Sequence, residues 1–168
     1  DQASALKRPV GRLKAIKGGV AMDFNYLFTS FDGRINRAKW WAGVVILAVI
    51  NIVIGLIVYQ LFGLGFFGRL LNFIVALALF YPTYAVCAKR FQDRDKAGKM
   101  ALYGLAAMLV VSLLQALGLT GTPDQPNAIA WLCSVVSLGV GLWFLIELGI
   151  LKGTTGSNRY GPDPLAGQ

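Results

Sequence analysis

The chain has 168 residues, 56% of them hydrophobic and 14% charged, with 16 Lys and Arg against 8 Asp and Glu and a net charge of +8. A soluble domain carries about 25% charged residues, so the polar surface here is too small for a water-soluble globule, and an all-α integral membrane protein is the expected class. There is no His, which excludes His-ligated metals and Ser-His or Cys-His nucleophile pairs.

Residues 1–21 carry Lys7, Arg8, Arg12, Lys14 and Lys17 between the helix breakers Pro9, Gly11, Gly18 and Gly19. They read as a flexible basic tail beside anionic lipid, or as plain disorder; Met22 fits a natural start. From Asp23, a suitable N-cap, Phe24, Leu27, Phe28 and Phe31 recur on one helical face. This predicts a short amphipathic helix in the membrane interface, or one packed against the spans, with Gly33 as its stop. Asn36 is placed to cap the next helix, and Trp40 and Trp41 sit where an aromatic belt belongs.

Span one is predicted over 40–62, interrupted by Asn51 and Gln60. Only Gly63, Leu64 and Gly65 separate it from span two, over 66–88. Arg69 lies in the first turn of that span, placed to snorkel outward, and Pro82 predicts a kink. A charged loop follows. Span three is predicted over 100–119 with Ser112 and Gln115 as polar members. A turn-rich loop with no basic residue leads to span four, over 128–151. There Ala130, Ser134, Ser137 and Gly141 form the small-residue stripe that close helix approach in lipid requires. The end of the chain, rich in Gly and Pro, reads as extended. The resulting divisions are a tail (1–21), a membrane domain (22–164) and a short C-terminal end (165–168).

Four spans put both termini and the middle loop on one side. Of the 16 Lys and Arg, Arg69 alone then falls on the other. The positive-inside rule makes the basic side cytoplasmic. These cations line membrane-proximal segments and form no groove, so nucleic acid is not an expected partner; anionic lipid head groups are. Cys87 and Cys133 fall at opposite depths, too far apart to bridge, and are expected to be free thiols.

Few residues suggest chemistry. Glu147 is the one acidic residue within a span, a functional candidate by position. It lies about 6 Å from the end of its span, so pairing with Arg37, Arg90 or Lys152 is the structural reading and ion or proton handling the functional one. Asp93 and Asp95 sit among five basic residues and read as ion pairs or caps before acid–base catalysts. No base stands near Ser112, Ser134 or Ser137. Gly63, Gly65 and Gly68 lack the Lys-Ser/Thr ending of a phosphate loop. No cofactor, metal site or enzymatic constellation is expected.

Three segments together carry a resemblance: FTSFDGRINRAKWW at 28–41, KRFQDRDKAG at 89–98 and GTTGSNRYGPDP at 153–164. In this order between spans they resemble the DUF805 family of small bacterial inner-membrane proteins, over about 22–164. Gln92 and Ala97 depart from the His and Ser usual in the family, so no role requiring that imidazole applies. The resemblance implies placement and architecture, not an activity. All three segments map to the predicted cytoplasmic side. Gly33, Arg34, Asn36, Arg37, Arg90, Asp93, Gly98, Gly156, Asn158, Tyr160, Gly161, Pro162 and Asp163 are expected to build one cap there, structural or binding a lipid head group or partner. The function expected is a non-enzymatic scaffold or accessory subunit of an inner-membrane complex, associating with another membrane protein or with itself. The alternative is a small oligomeric transporter or channel using Glu147.

Overall fold

The computed structural model describes residues 22–166; the predicted basic tail lies outside them. Helix α1 spans Phe24–Thr29, α2 Arg37–Phe62, α3 Phe66–Asp93, α4 Met100–Ala116 and α5 Ala128–Phe144. A two-stranded antiparallel hairpin, β1 (Gly121–Thr122) and β2 (Gln125–Pro126), joins α4 to α5. A π-helical segment, Leu145–Ile150, continues α5.

Among the described residues, three helical stretches are long and apolar enough to cross a membrane: Arg37–Phe62, Phe66–Asp93 and Ala128–Ile150. The expected third span is shorter. Helix α4 has 17 residues, about 25 Å at 1.5 Å per residue, against a hydrocarbon core of about 30 Å. It stops at Ala116 and not at Leu119, because the chain turns at Gly118, whose φ is +74°.

Helix α2 packs on α3, α3 on α4, and α4 on α5, while the π segment closes against α2 and α3. Asp23 Oδ1 accepts from the Tyr26 N–H at 3.0 Å and Asn36 Oδ1 from the Lys39 N–H at 2.9 Å, so both predicted N-caps form. Helix α1 ends at Thr29, four residues before the predicted stop at Gly33. It is no free surface element: Leu27 is buried beside Gly43 and Val86, where α2 and α3 cross. Phe24 remains exposed and stacks on Phe28.

The core lies at one end of the bundle, here called the basic end. Every residue from Ala85 to Asp93 is buried, and Phe91 packs between Trp143 and Phe144. The opposite, hairpin end is loosely covered by protein, and Cys133 is the buried residue of α5. Cys87 and Cys133 are free, as expected.

Candidate functional site: a capped basic end

Helix geometry explains why cations collect at the basic end. The C-termini of α1, α3 and the π segment converge there, and the last carbonyls of a helix have no partner within it. They carry partial negative charge, which cations satisfy. Lys89 Nζ donates to the carbonyls of Tyr26 at 2.8 Å and Leu27 at 2.9 Å, and also to that of Ser30, closing α1. The π segment is closed by three arginines: Arg94 Nη1 donates to Glu147 O at 3.1 Å, Arg37 Nη1 to Ile150 O at 3.0 Å, and Arg90 to Leu148 O and Leu151 O at 2.8 and 2.6 Å. The widened turn is defined by the Leu151 N–H reaching back five residues to Ile146 O, at 3.0 Å.

At the centre sit Arg34, Arg90 and Asp93. Their side chains are 2%, 0% and 4% exposed. Arg34 Nε donates to Asp93 Oδ1 at 3.1 Å, and Arg90 Nη1 donates to Asp93 Oδ2. Arg34 extends its other nitrogens to Thr154 O, Gly156 O and Gly161 O at 2.6, 2.7 and 3.2 Å. One guanidinium thus ties the start of the chain to the end of α3 and to the closing segment. A planar five-donor fork does this; a lysine does not.

The closing segment is fastened in return. The Asp93 carbonyl accepts from the Thr154 N–H at 2.9 Å and from Thr154 Oγ1 at 3.0 Å. Asn158 Nδ2 donates to Gln92 O at 2.9 Å. Asp163 accepts from the backbone N–H groups of Leu165 and Gly156, both at 2.9 Å. Those two N–H groups hold its carboxyl below the usual carboxylate range. Gly153 runs so close to Asp93 that a Cβ there would overlap the carboxylate. Gly33 has φ +100°, and a Cβ would overlap the Tyr26 hydroxyl.

Of the residues singled out from the sequence, Arg34, Arg90, Asp93, Gly156, Asn158, Gly161 and Asp163 meet in one network. Gly98 is buried against Ala88 and Gln92. Tyr160 lies under Arg159, 4.9 Å from the guanidinium carbon to the ring centre, and Pro162 is exposed. Glu147 is buried at this end, but its cations are Arg94 and Lys96, not Arg37, Arg90 or Lys152. Arg94 Nε lies 3.2 Å from Oε1 without aiming its N–H at the oxygen, so charge more than hydrogen bonding holds the pair. Asp95 pairs with Arg159 at the surface.

The main correction concerns 89–93. The sequence reading ends span two at Ala88 and puts the charged run in a loop. Helix α3 instead continues to Asp93, and Lys89, Arg90, Gln92 and Asp93 are buried. The spacing of Arg90 and Asp93, three apart on one helical face, was the available signal. Lys89 as a cap of α1, and Thr154 and Gly153 as partners of Asp93, depend on contacts about 60 residues apart and were not foreseen.

A cavity of about 240 Å³ opens beside the network, lined in part by Asn36, Arg37, Lys152, Thr155 and Asp163. Among the described residues, Arg37 and Lys152 have no carboxylate within ion-pair distance. No cluster of side chains suited to a metal ion occurs among them either. The geometry offers two cations without a carboxylate partner beside a cavity, and an Arg34–Asp93–Arg90 centre whose side-chain nitrogens and oxygens are all engaged. It contains no activated nucleophile.

Residues 28–162 match the family model described as a protein of unknown function, DUF805. The chain is 30% identical to the Escherichia coli inner membrane protein YhaI, over 83% of this chain and 90% of that protein. It is 28% identical to the uncharacterized E. coli protein YiiR, over 80% and 85%, and 25% identical to the E. coli inner membrane protein YhaH, over 82% and 88%. No solved structure matches. The matched span takes in Arg34, Arg90, Asp93 and Gly161, and the apolar helices agree with a multi-pass inner-membrane location. The chain belongs to the DUF805 family.

Proposed function

We propose that this protein is a non-enzymatic scaffold or accessory subunit of an inner-membrane assembly. It crosses the membrane four times, with the capped end and both termini in the cytoplasm. The cap locks the helices at one end so that α5 presents a fixed surface to another membrane helix, of a partner protein or of a second copy. Arg37 and Lys152 meet anionic head groups at the cap's rim.

The observation that carries this reading is the covering of α5. Trp131, Leu132, Val135 and Leu138 are 63–68% exposed, and the helix packs chiefly on α4, touching α3 where Trp143 and Phe144 meet Phe91. On the same helix the small-residue stripe has open space at its Gly141 end, where a Cβ would meet nothing within 4 Å. Small residues favour close approach between helices in lipid, where apolar surface alone supplies no driving force.

The test is cysteine crosslinking in native membranes, with Ser134→Cys and Ser137→Cys in a chain lacking Cys87 and Cys133. Adducts at these positions, absent for a cysteine on the exposed face of α2 such as Ile52→Cys, support the reading. A protein that stays monomeric and uncrosslinked in native membranes refutes it. Labelling of Ser157→Cys and Asp124→Cys with a membrane-impermeant reagent on intact cells tests the orientation. Asp124→Cys should react and Ser157→Cys should not.

A further inference from the structure

We infer that the cleft between α2, α3 and α4 is a binding site for a phosphate-headed acyl amphiphile, its head at the hairpin end beside Arg69 and its chain directed toward the basic end. The site is separate from the cap, and its acyl cleft takes no residue from α5, although the space around Arg69 borders Ala130 and Ser134 of that helix.

The cleft holds about 550 Å³, within the range of pockets that enclose small ligands, and its walls come from α2, α3 and α4. Its lining is graded by depth. Asn72, six residues into α3, together with Ser112 and Gln115 near the end of α4 and Asn51 in α2, makes the outer part polar. Leu47, Phe80, Val86 and Leu105 make the inner part largely apolar, and the Thr83 hydroxyl among them is taken up by Leu79 O at 2.6 Å. A water-filled conduit would need polar groups along its whole length, whereas a purely structural packing defect would carry none. A polar mouth above an apolar floor fits a molecule with a head and a tail.

The polar groups are largely uncommitted. Asn72 Nδ2 donates to Gly68 O at 2.9 Å, which leaves its Oδ1 free. Among the described residues, the amides of Asn51 and Gln115 and the Ser112 hydroxyl have no hydrogen-bond partner in the protein. Unsatisfied polar groups are costly at membrane depth, so a ligand that pairs with them is favoured there.

Gln115 also lines a second cavity, of about 610 Å³, at the hairpin end. The two spaces meet at that side chain, and we take the second as the cleft's vestibule. Among the described residues Arg69 is the one cation lining it, and Asp124, exposed on the hairpin, is its one carboxylate. The Arg69 Nε is buried without a partner, its Nη1 makes one long bond to Leu64 O at 3.4 Å, and its Nη2 lies against Gly118. No carboxylate is within ion-pair distance of it among the described residues. A guanidinium with free, fork-shaped donors is suited to phosphate. Free phosphate would use the vestibule alone, whereas an amphiphile would use both spaces.

The experiment uses the full chain, purified in mild detergent and examined by native mass spectrometry during stepwise delipidation. One phospholipid should remain after the bulk lipid has left. Arg69→Gln should lower its retention about tenfold, and Ser112→Phe, which fills the cleft without touching Arg69, should abolish it. Phosphatidylglycerol and phosphatidylethanolamine should both compete for the site. Diacylglycerol, with the same chains and no phosphate, and inorganic phosphate, with no chain, should not. Phospholipids bearing a diazirine should crosslink near Gln115 when it is next to the head and near Leu47 or Val86 when it is at the chain end. The proposal is overturned if diacylglycerol or inorganic phosphate competes equally, if Arg69→Gln retains lipid as the parent does, or if both diazirine positions crosslink mainly to the outer face of α5. Circular dichroism of both variants separates loss of the site from loss of fold.

Discussion

Replacing Asp93 with Asn preserves the shape of the side chain and removes its charge. Two guanidinium groups, 2% and 0% exposed, then share a buried space with no counter-charge. Breaking a buried ion pair by removing one partner costs about 3–5 kcal/mol. Here two features set the value near the lower end. Arg34 keeps three carbonyl acceptors and Arg90 keeps two, and the Asn amide still offers one oxygen. At about 3 kcal/mol, and about 2–4 °C per kcal/mol for a chain of this size, the midpoint of thermal unfolding should fall by about 6–12 °C. The assay is a thermal ramp in detergent read by a thiol-reactive dye at Cys87, which is buried, with Cys133 replaced by Ser. Asp95→Asn is the matched control: its partner Arg159 is 61% exposed and Asp95 itself 47%, and exposed pairs contribute little. That variant should move the midpoint by about 4 °C at most. If Asp93→Asn shifts it no more than the control, Asp93 does not hold the cap and the reasoning fails.

Gly153→Ala should destabilise nearly as much as Asp93→Asn in the same ramp, because the added Cβ displaces the Asp93 carboxylate. Glu147→Gln should cost about 1–3 kcal/mol, between an exposed and a fully buried pair because its partners Arg94 and Lys96 are 17% and 39% exposed, and leave proton and cation flux into liposomes unchanged, since Glu147 is paired at the cap and lines none of the three cavities described; altered flux would revive a transport role. Lys89→Met should leave the carbonyls of α1 without a donor, so amide hydrogen exchange should rise in α1 and in its junction with α2 while α4 is unaffected. Asp163 titrates below the usual carboxylate range in the folded chain, so the unfolded chain takes up its proton first. Its contribution is therefore complete above that range and is lost as pH falls through it toward the folded value. Exchange of the Gly156 and Leu165 amides should speed up below about pH 4, and Asp163→Asn should remove that dependence.

Much of the architecture was legible in the residues because it follows from local chemistry. Apolar runs of more than 20 residues mark the long helices, Asp23 and Asn36 mark helix starts, and the one-sided cations mark the polar end. The site was legible as a set of names without connections. Arg34, Asp93 and Gly161 could be singled out, but nothing in their order along the chain says that one guanidinium joins all three. The run at 89–93 reads as a loop because charge in a sequence ordinarily marks solvent, yet it is helical and buried. Contacts from α1, the π segment and the closing segment supply its partners, and so let the helix continue into the interior.

Composition and periodicity alone determined that this chain enters a membrane, where its long helices lie and which end carries its cations. Those depend on the free energy of moving each side chain out of water, which is additive along the sequence. Tertiary structure decided that cations cap the ends of α1 and the π segment, with Lys89 and Arg90 fully buried among them, that Glu147 pairs with Arg94 and Lys96, that α4 stops short and that a polar-mouthed cleft lies beside it. These depend on which carbonyls and carboxylates arrive at the same point in space, and only the folded backbone determines that.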